Sequence, residues 1–274
     1  MYLVTGATGT VGRPLVELLA SAGAPVRAIS RDPATAALPD GVEVVSEPDF
    51  TDVTAVFLHP RAVGLDAADL LARSGAHRVV VLAAANVDDP LDEQPSRFAG
   101  DRNKEVEAAA IGSGLEWVSL RAGYFSINTA YSWAAQIRAG DAVHAPFPQA
   151  AEAPVDERDL AAVAAHALTT DDLVGRKLVL TGPESHTHTE LVATIGTALG
   201  RDLRFTPVPA EVAARGLVAH GHRPEFATAL MARYERENGR PAHVSGDVAK
   251  VLGRARTFTE WVTDHAALFD RTPA

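Results

Sequence analysis

The stretch YLVTGATGTVGRPLVELL, running from Tyr2 to Leu19, decides the fold. It opens on an apolar run, Tyr2-Leu3-Val4, of the length of a short buried strand. Gly6-Ala7-Thr8-Gly9-Thr10-Val11-Gly12 follows, and Val11, Leu15, Leu18 and Leu19 then fall at helical spacing. Strand, glycine turn and helix, in that order, is the context in which G-x-x-G-x-x-G holds a dinucleotide. Gly6 can make the tight turn out of the strand. Gly9, without a Cβ, lets a pyrophosphate reach the backbone, and Gly12 lets the helix close on the sheet. The helix start turns free N–H groups and a positive dipole end toward the phosphates. Thr8, Thr10 and Val11 complete the candidate phosphate-binding set. An ordinary glycine-rich loop is the plain alternative, and the second strand that follows on time argues against it.

Composition bounds the rest. A chain of 274 residues with 47% hydrophobic content can build one large α/β domain, or a core domain with a smaller lobe. The net charge of −10 disfavours a nucleic-acid partner held by a basic surface. The sequence has no cysteine, which excludes disulfides, thiolate metal sites and a cysteine nucleophile. No apolar run approaches membrane-spanning length, and the chain opens on a core strand instead of a signal peptide. A soluble, cytoplasmic protein is the expectation.

The second strand, Val26–Ser30, ends in Ser30-Arg31. An acidic residue there would take the adenosine ribose hydroxyls. Arg31 instead offers a planar fork for a 2′-phosphate, with Ser30 adding a hydroxyl, so NADP(H) is expected over NAD(H). Asp32 before Pro33 reads as a helix N-cap. Further strands are expected at 41–45, 54–58, Arg78–Ala84 and 116–121. His59, at the carboxyl edge of the fourth strand, reads either as an adenosine-ribose contact or as a loop cap. Ala84 and Ala122 end the fifth and sixth strands, where a dinucleotide lies in such sheets, and Asn86 should face the nicotinamide. The acidic segment 88–94 reads as a mobile loop. Asp156 is expected to cap the next helix, with Asp159 close to a capping box. From Lys177 onward a strand, several helices and an edge strand with Pro207 read as a C-terminal lobe, ending in one amphipathic helix over 258–269. The expected division is a dinucleotide-binding core at 1–155, then the last core helix and a smaller substrate-covering lobe at 156–274. The fold class is α/β, a Rossmann-like doubly wound parallel sheet with a smaller C-terminal α/β lobe.

Four segments carry a family resemblance. TGATGTVG, SRDP, SGLEWVSLRAGYFSIN, and PVDERDLAAVAAHAL with KLVLTGPE together resemble the NmrA-like group of atypical short-chain dehydrogenase/reductases. That resemblance implies a Rossmann fold and NADP(H). It also implies reduction of quinones, enones or related compounds, or else NADP binding by a regulator without turnover. The usual tyrosine, three residues, lysine pair is absent: the tyrosines are 2, 124, 131 and 234, and none stands four residues before a lysine. The customary serine position reads Ala84-Ala85. Some reductases of the group carry a lysine in the helix after the fifth strand, which makes Lys104 a candidate for holding the ribose or relaying a proton; a solvent-facing lysine is the other reading. Tyr124 is the candidate hydrogen-bond donor to a substrate carbonyl. Asn128 stands beside it, and Phe125, Tyr131 and Trp133 are candidate walls for a planar apolar substrate. His186, His188 and Glu190 suggest a metal site less than they suggest a helix capped by Thr187 or Thr189. The acidic segment 88–94 reads as solvated, not as a cation site.

The sequence therefore points to an NADPH-dependent reductase of a small conjugated carbonyl or quinone-like compound. A redox-sensing NADP(H)-binding regulator stands as the alternative. Sugar-nucleotide epimerisation ranks below both, because it needs the missing tyrosine–lysine pair.

Overall fold

The computed structural model describes residues 1–271, and its first half mixes strands with helices. β1 (Tyr2–Val4) leads into α1 (Gly12–Ser21), followed by β2 (Val26–Ile29), β3 (Glu43–Val45) and β4 (Ala55–Leu58). Then come α2 (Pro60–Val63), α3 (Ala67–Ser74), β5 (Arg78–Ala84), α4 (Pro95–Phe98), α5 (Asn103–Gly112) and β6 (Glu116–Ala122). After these run α6 (Ile127–Ala139), β7 (Ala142–Ala145), β8 (Ala151–Glu152), α7 (Glu157–Thr169) and β9 (Lys177–Leu180). The chain continues through β10 (His186–Thr187), α8 (His188–Ala198), β11 (Arg204–Pro207), α9 (Ala210–Ala219), α10 (Pro224–Glu237), α11 (Asp247–Leu252) and α12 (Phe258–Asp264).

Seven strands form one parallel sheet in the order β3-β2-β1-β4-β5-β6-β9. Alternate residues of each strand serve opposite faces. Val4, Phe57, Val80 and Leu120 join the core under α1 and α7, whereas Leu3, Val56, Val79 and Val81 join the core with α3 and α5. Both faces are covered, which is why AVFL and VVVLAA are apolar without alternation. The strand order reverses between β1 and β4, the switch point at which such sheets bind ligands.

A second core holds the lobe together. Trp133 and Ile137 of α6, Leu191 and Ile195 of α8, and Phe258 and Trp261 of α12 pack into it. β7 pairs with β11 in parallel, and β8 pairs with β10 antiparallel. Glu157, at the start of α7, fastens this lobe to the sheet layer. Its Oε1 accepts from Ile127 N at 2.7 Å and its Oε2 from Trp261 Nε1 at 2.8 Å.

Several expectations are corrected. Lys177–Leu180, expected in the lobe, is the seventh strand of the large sheet, because β6 leaves a free edge that β9 satisfies. The expected final helix stops at Asp264 and gives way to a 3-10 turn at Ala266–Phe269. Asp247–Leu252, not anticipated, is a helix packed on α7 and β9. The segment after β5, expected as a loop, carries short helical turns at Leu91–Glu93 and Pro95–Phe98, and buried Gln94 donates to the carbonyls of Val87 and Asp89, at 3.2 and 2.8 Å. Asp32 makes no side-chain cap; the backbone N–H of Asp32 donates instead to Ser30 Oγ. Asp156 does cap α7, but Asp159 is drawn away to the backbone N–H and guanidinium of Arg256. Thr187 and Glu190 form a full capping box at the start of α8.

Candidate functional site

The carboxyl ends of β2, β1, β4, β5 and β6 are neighbours, so residues far apart in sequence share one edge. The glycine turn stands at the middle of it. Gly6 has φ +63°, and a Cβ there would come within 2.9 Å of His59 Cβ. Gly9 N donates to Gly6 O at 2.9 Å, which tightens the turn. A Cβ on Gly12 would lie 2.1 Å from Gly6 O, so α1 can begin there only on a glycine. Gly9 differs from both: a Cβ would meet nothing closer than Gly6 O at 3.2 Å, and Thr8, Gly9 and Thr10 are exposed. Val11 is buried beneath them and anchors the turn. The open backbone at 8–10, ahead of a ten-residue helix, fits a pyrophosphate.

Thr5 ties the two central strand ends together. Its Oγ1 donates to Phe57 O at 3.0 Å and accepts from His59 N at 2.8 Å. His59 is thereby held against Gly6, and its Nδ1 accepts from Arg61 N at 3.3 Å, capping α2. Burial holds its imidazole below the usual histidine range. The loop-capping reading of His59 is thus realised in the geometry, and the ring also walls the glycine turn. Ser30 is buried, and its hydroxyl is engaged with the Asp32 backbone as both donor and acceptor. Arg31 is exposed and makes no hydrogen bond or ion pair among the described residues, which leaves an open cation beside the end of β2. The next segment is pinned to α1 by Arg13, which donates to the carbonyls of Ala36 and Ala37 at 2.9 and 2.6 Å.

Ala84 and Ala122 are register partners at the ends of β5 and β6, and Ala85 N donates to Ala122 O at 2.8 Å. Asn86 turns immediately beyond, half-buried. Below that turn lies an ion network that is buried at Arg121 and Glu107 and open at Asp88. Arg121 donates through Nε and Nη2 to the two oxygens of Glu107, at 2.7 and 2.8 Å, and through Nη1 to Asp88 at 2.6 Å. Burial pushes Glu107 upward, but the Arg121 fork and Ser119 outweigh it and hold the carboxyl below its usual range. The network fixes the course of the 85–89 turn.

Tyr124 follows β6, and its backbone oxygen accepts from Val155 N at 2.9 Å. The residue is half-buried, and burial raises its phenol well above the usual tyrosine value. Lys104 projects from the first turn of α5 and is exposed, in line with its solvent-facing reading. Asn103 beside it is the buried member of that turn, and donates to Ser96 Oγ at 3.1 Å. The expected aromatic wall does not assemble. Phe125 bridges to Val155, Trp133 is in the lobe core against His188, and Tyr131 is 73% exposed. Successive helical positions point in different directions, so residues 131 and 133 cannot share a face.

One constellation went unread in the sequence. Glu152, 3% exposed, receives Arg233 from α10, and Tyr234 and His188 stand beside them. A lone acid within AAEAPV was its local signal, since an acid flanked by small apolar residues invites burial. The partner lies 81 positions away. Helix α10 also packs over α4, and Arg236 pairs with Glu93 at 2.9 Å, so it spans from the lobe to the loop after β5.

The comparisons agree with this geometry. A family model described as NAD(P)H-binding matches residues 6–171. A (4-alkanoyl-5-oxo-2,5-dihydrofuran-3-yl)methyl phosphate reductase from Streptomyces griseus subsp. griseus is 37% identical, over 98% of this chain and 99% of that protein. An NAD(P)H azoreductase from Xenophilus azovorans is 30% identical over 98% and 99%. Among solved structures, an NADPH-dependent quinone oxidoreductase from Escherichia coli superposes with a TM-score of 0.78 at 24% identity, covering 97% of this chain and all of the other. The protein NmrA, in a mutant form, superposes with a TM-score of 0.70 at 19% identity, covering 98% and 96%. Glycine turn, sheet edge and matches together show that the chain belongs to the NAD(P)H-binding family, with the fold of the NmrA-like atypical short-chain dehydrogenase/reductases.

Proposed function

We propose that the protein is an NADPH-dependent reductase of a small conjugated carbonyl or quinone-like compound. The observation that carries this reading is the continuous carboxyl edge, from the open cation Arg31 through the bare turn at Gly9 to the paired ends of β5 and β6. Thr8, Gly9, Thr10 and the α1 amides would hold the pyrophosphate, and Arg31 the 2′-phosphate. Gly6 and Gly12 set the turn, and Val11 and His59 back it. Ser30 shapes the loop that carries Arg31. Ala84 and Ala122 would lie along the nicotinamide half. When bound, NADPH supplies a hydride.

Around that, the chain's own groups orient and polarise the acceptor. Asn86 and Tyr124 leave neighbouring strand ends, so both can reach one small molecule. The half-buried Tyr124 phenol, raised by burial, stays protonated at neutral pH and can donate to a carbonyl oxygen that gains charge. The reductase from Streptomyces griseus supports a conjugated acceptor: a 2,5-dihydrofuran with oxo and alkanoyl groups has its ring double bond beside two carbonyls. A resonance-stabilised anion relaxes the need for a strong acid, in keeping with the missing tyrosine–lysine pair.

A screen of NADPH oxidation over quinones, enones and aryl ketones tests the reading. Turnover with at least one of them is expected. Tight NADPH binding with no oxidation by any acceptor would favour the NADP(H)-sensing alternative.

A further inference from the structure

Arg31, the cation proposed for the 2′-phosphate, stands on a segment with little of its own to hold it. Residues 31–35 are exposed one after another, so no core contact fixes their course. Ser30 Oγ accepts from Asp32 N at 3.3 Å and donates to Asp32 O at 3.0 Å, which closes residues 30–32 on themselves. Pro33–Thr35 make one 3-10 turn, closed by Ala36 N donating to Pro33 O at 3.4 Å. These bonds all lie inside the segment. Only beyond them does the chain return to the core, through buried Ala36 and half-buried Leu38.

The outside bond comes from Arg13, in the first turn of α1. Its Nη1 donates to Ala37 O at 2.6 Å and its Nη2 to Ala36 O at 2.9 Å. Among the described residues, no other group from outside hydrogen-bonds residues 31–37. Ala37 has φ +46°, in the left-handed region that an alanine adopts only when its surroundings hold it. The fork on its carbonyl and on that of Ala36 supplies this hold. The backbone of Arg13 works in the other direction: its N–H donates to Gly9 O at 3.0 Å and closes the bare turn. One residue thus joins the turn proposed for the pyrophosphate to the segment that carries Arg31. Its acceptors are neutral carbonyls, and it forms no ion pair among the described residues.

We propose that Arg13 is a positioning residue for cofactor selection, whose fork fastens the 31–37 segment to α1 so that Arg31 is in place before the 2′-phosphate arrives. The proposal rests on the NADPH reading, with Arg31 at the 2′-phosphate. Without the fork, the segment must be ordered when the cofactor binds, and ordering a free backbone costs affinity. That cost falls on NADP(H) alone, because NAD(H) has no 2′-phosphate and makes no use of Arg31.

Calorimetry with NADPH and NADH on the full chain tests this, with urea midpoints to confirm folding. Arg13→Met keeps the apolar stem and the backbone N–H to Gly9 but removes the fork. Arg13→Lys keeps the charge but has one nitrogen where the fork sets two on separate carbonyls. Both variants should weaken NADPH by about fivefold to tenfold and leave NADH within about twofold. Arg13→Met combined with Arg31→Ala should bind NADPH no more weakly than Arg31→Ala alone, since the fork acts through Arg31. Four results overturn the proposal: unmoved NADPH affinity, equal weakening of both cofactors, full additivity in the double variant, or wild-type selectivity in Arg13→Lys, which would leave only the charge. Arg13→Lys decides the matter if Arg13→Met does not fold. Wild-type protein with equal affinity for NADPH and NADH overturns the NADPH reading itself and the proposal with it.

Discussion

Two glycines of the turn look alike in sequence and should fail differently. Gly12→Ala places a Cβ 2.1 Å from Gly6 O, against backbone that cannot yield, so the variant should unfold at lower denaturant or fail to fold. Gly9→Val places its Cβ 3.2 Å from Gly6 O at an exposed position, a contact relieved by a shift of a few tenths of an ångström, so circular dichroism should stay native while cofactor binding is lost. At Arg31 the expected effect is on selectivity. Arg31→Ala should weaken NADP(H) by about 2 kcal/mol, as loss of one charge-assisted contact does, and leave NAD(H) nearly unchanged by calorimetry. These positions were legible because the demand on them is local: a turn, a close approach, an open cation after a strand. Ser30 was legible as a position but not as a partner, since its hydroxyl turns back on Asp32. Tyr131 and Trp133 were misread because aromatic character does not say which way a helix faces.

At the scale of elements, the turn after β5 depends on a charge held inside the sheet layer. Arg121→Met would leave Glu107, 5% exposed, buried without its cation, and should cost about 3–5 kcal/mol in urea unfolding. Replacing both residues with apolar ones should cost much less. Glu152 gives an element-level pH signature through β8. Its folded value of about 7 lies above the unfolded 4.5, so the native state binds the proton more tightly. Its stabilising contribution is therefore full below about 4.5 and is lost as pH rises through about 7. Urea midpoints at pH 5 and 8 should differ less in Glu152→Gln than in the wild type. Neither ion group was readable as a unit: Glu107 and Arg121 are 14 positions apart, and Glu152 and Arg233 are 81. The helix caps at Asp156 and Thr187 were readable because the cap and its target lie within one turn. The place of β9 was not, because sheet membership depends on which edge a strand meets and not on its own residues.

The whole molecule is a sheet edge with a lobe brought over it. Glu157 is the joint, accepting from both α6 and α12, and α10 reaches across to Glu93 and α4. Trp261→Phe removes one donor from the buried Glu157 and should cost about 1–3 kcal/mol by thermal melting, with the cofactor turn unaffected. This arrangement gives a candidate dinucleotide edge on one side and, on the other, a lobe joined to the sheet layer through the buried Glu157. The most direct measurement follows NADPH absorbance over a panel of quinones and enones, with wild type and Gly9→Val compared and NADH as the second donor. The account predicts NADPH consumption by wild type with at least one acceptor, faster than with NADH, and none by Gly9→Val. NADPH that binds wild type tightly and is consumed with no acceptor would contradict it.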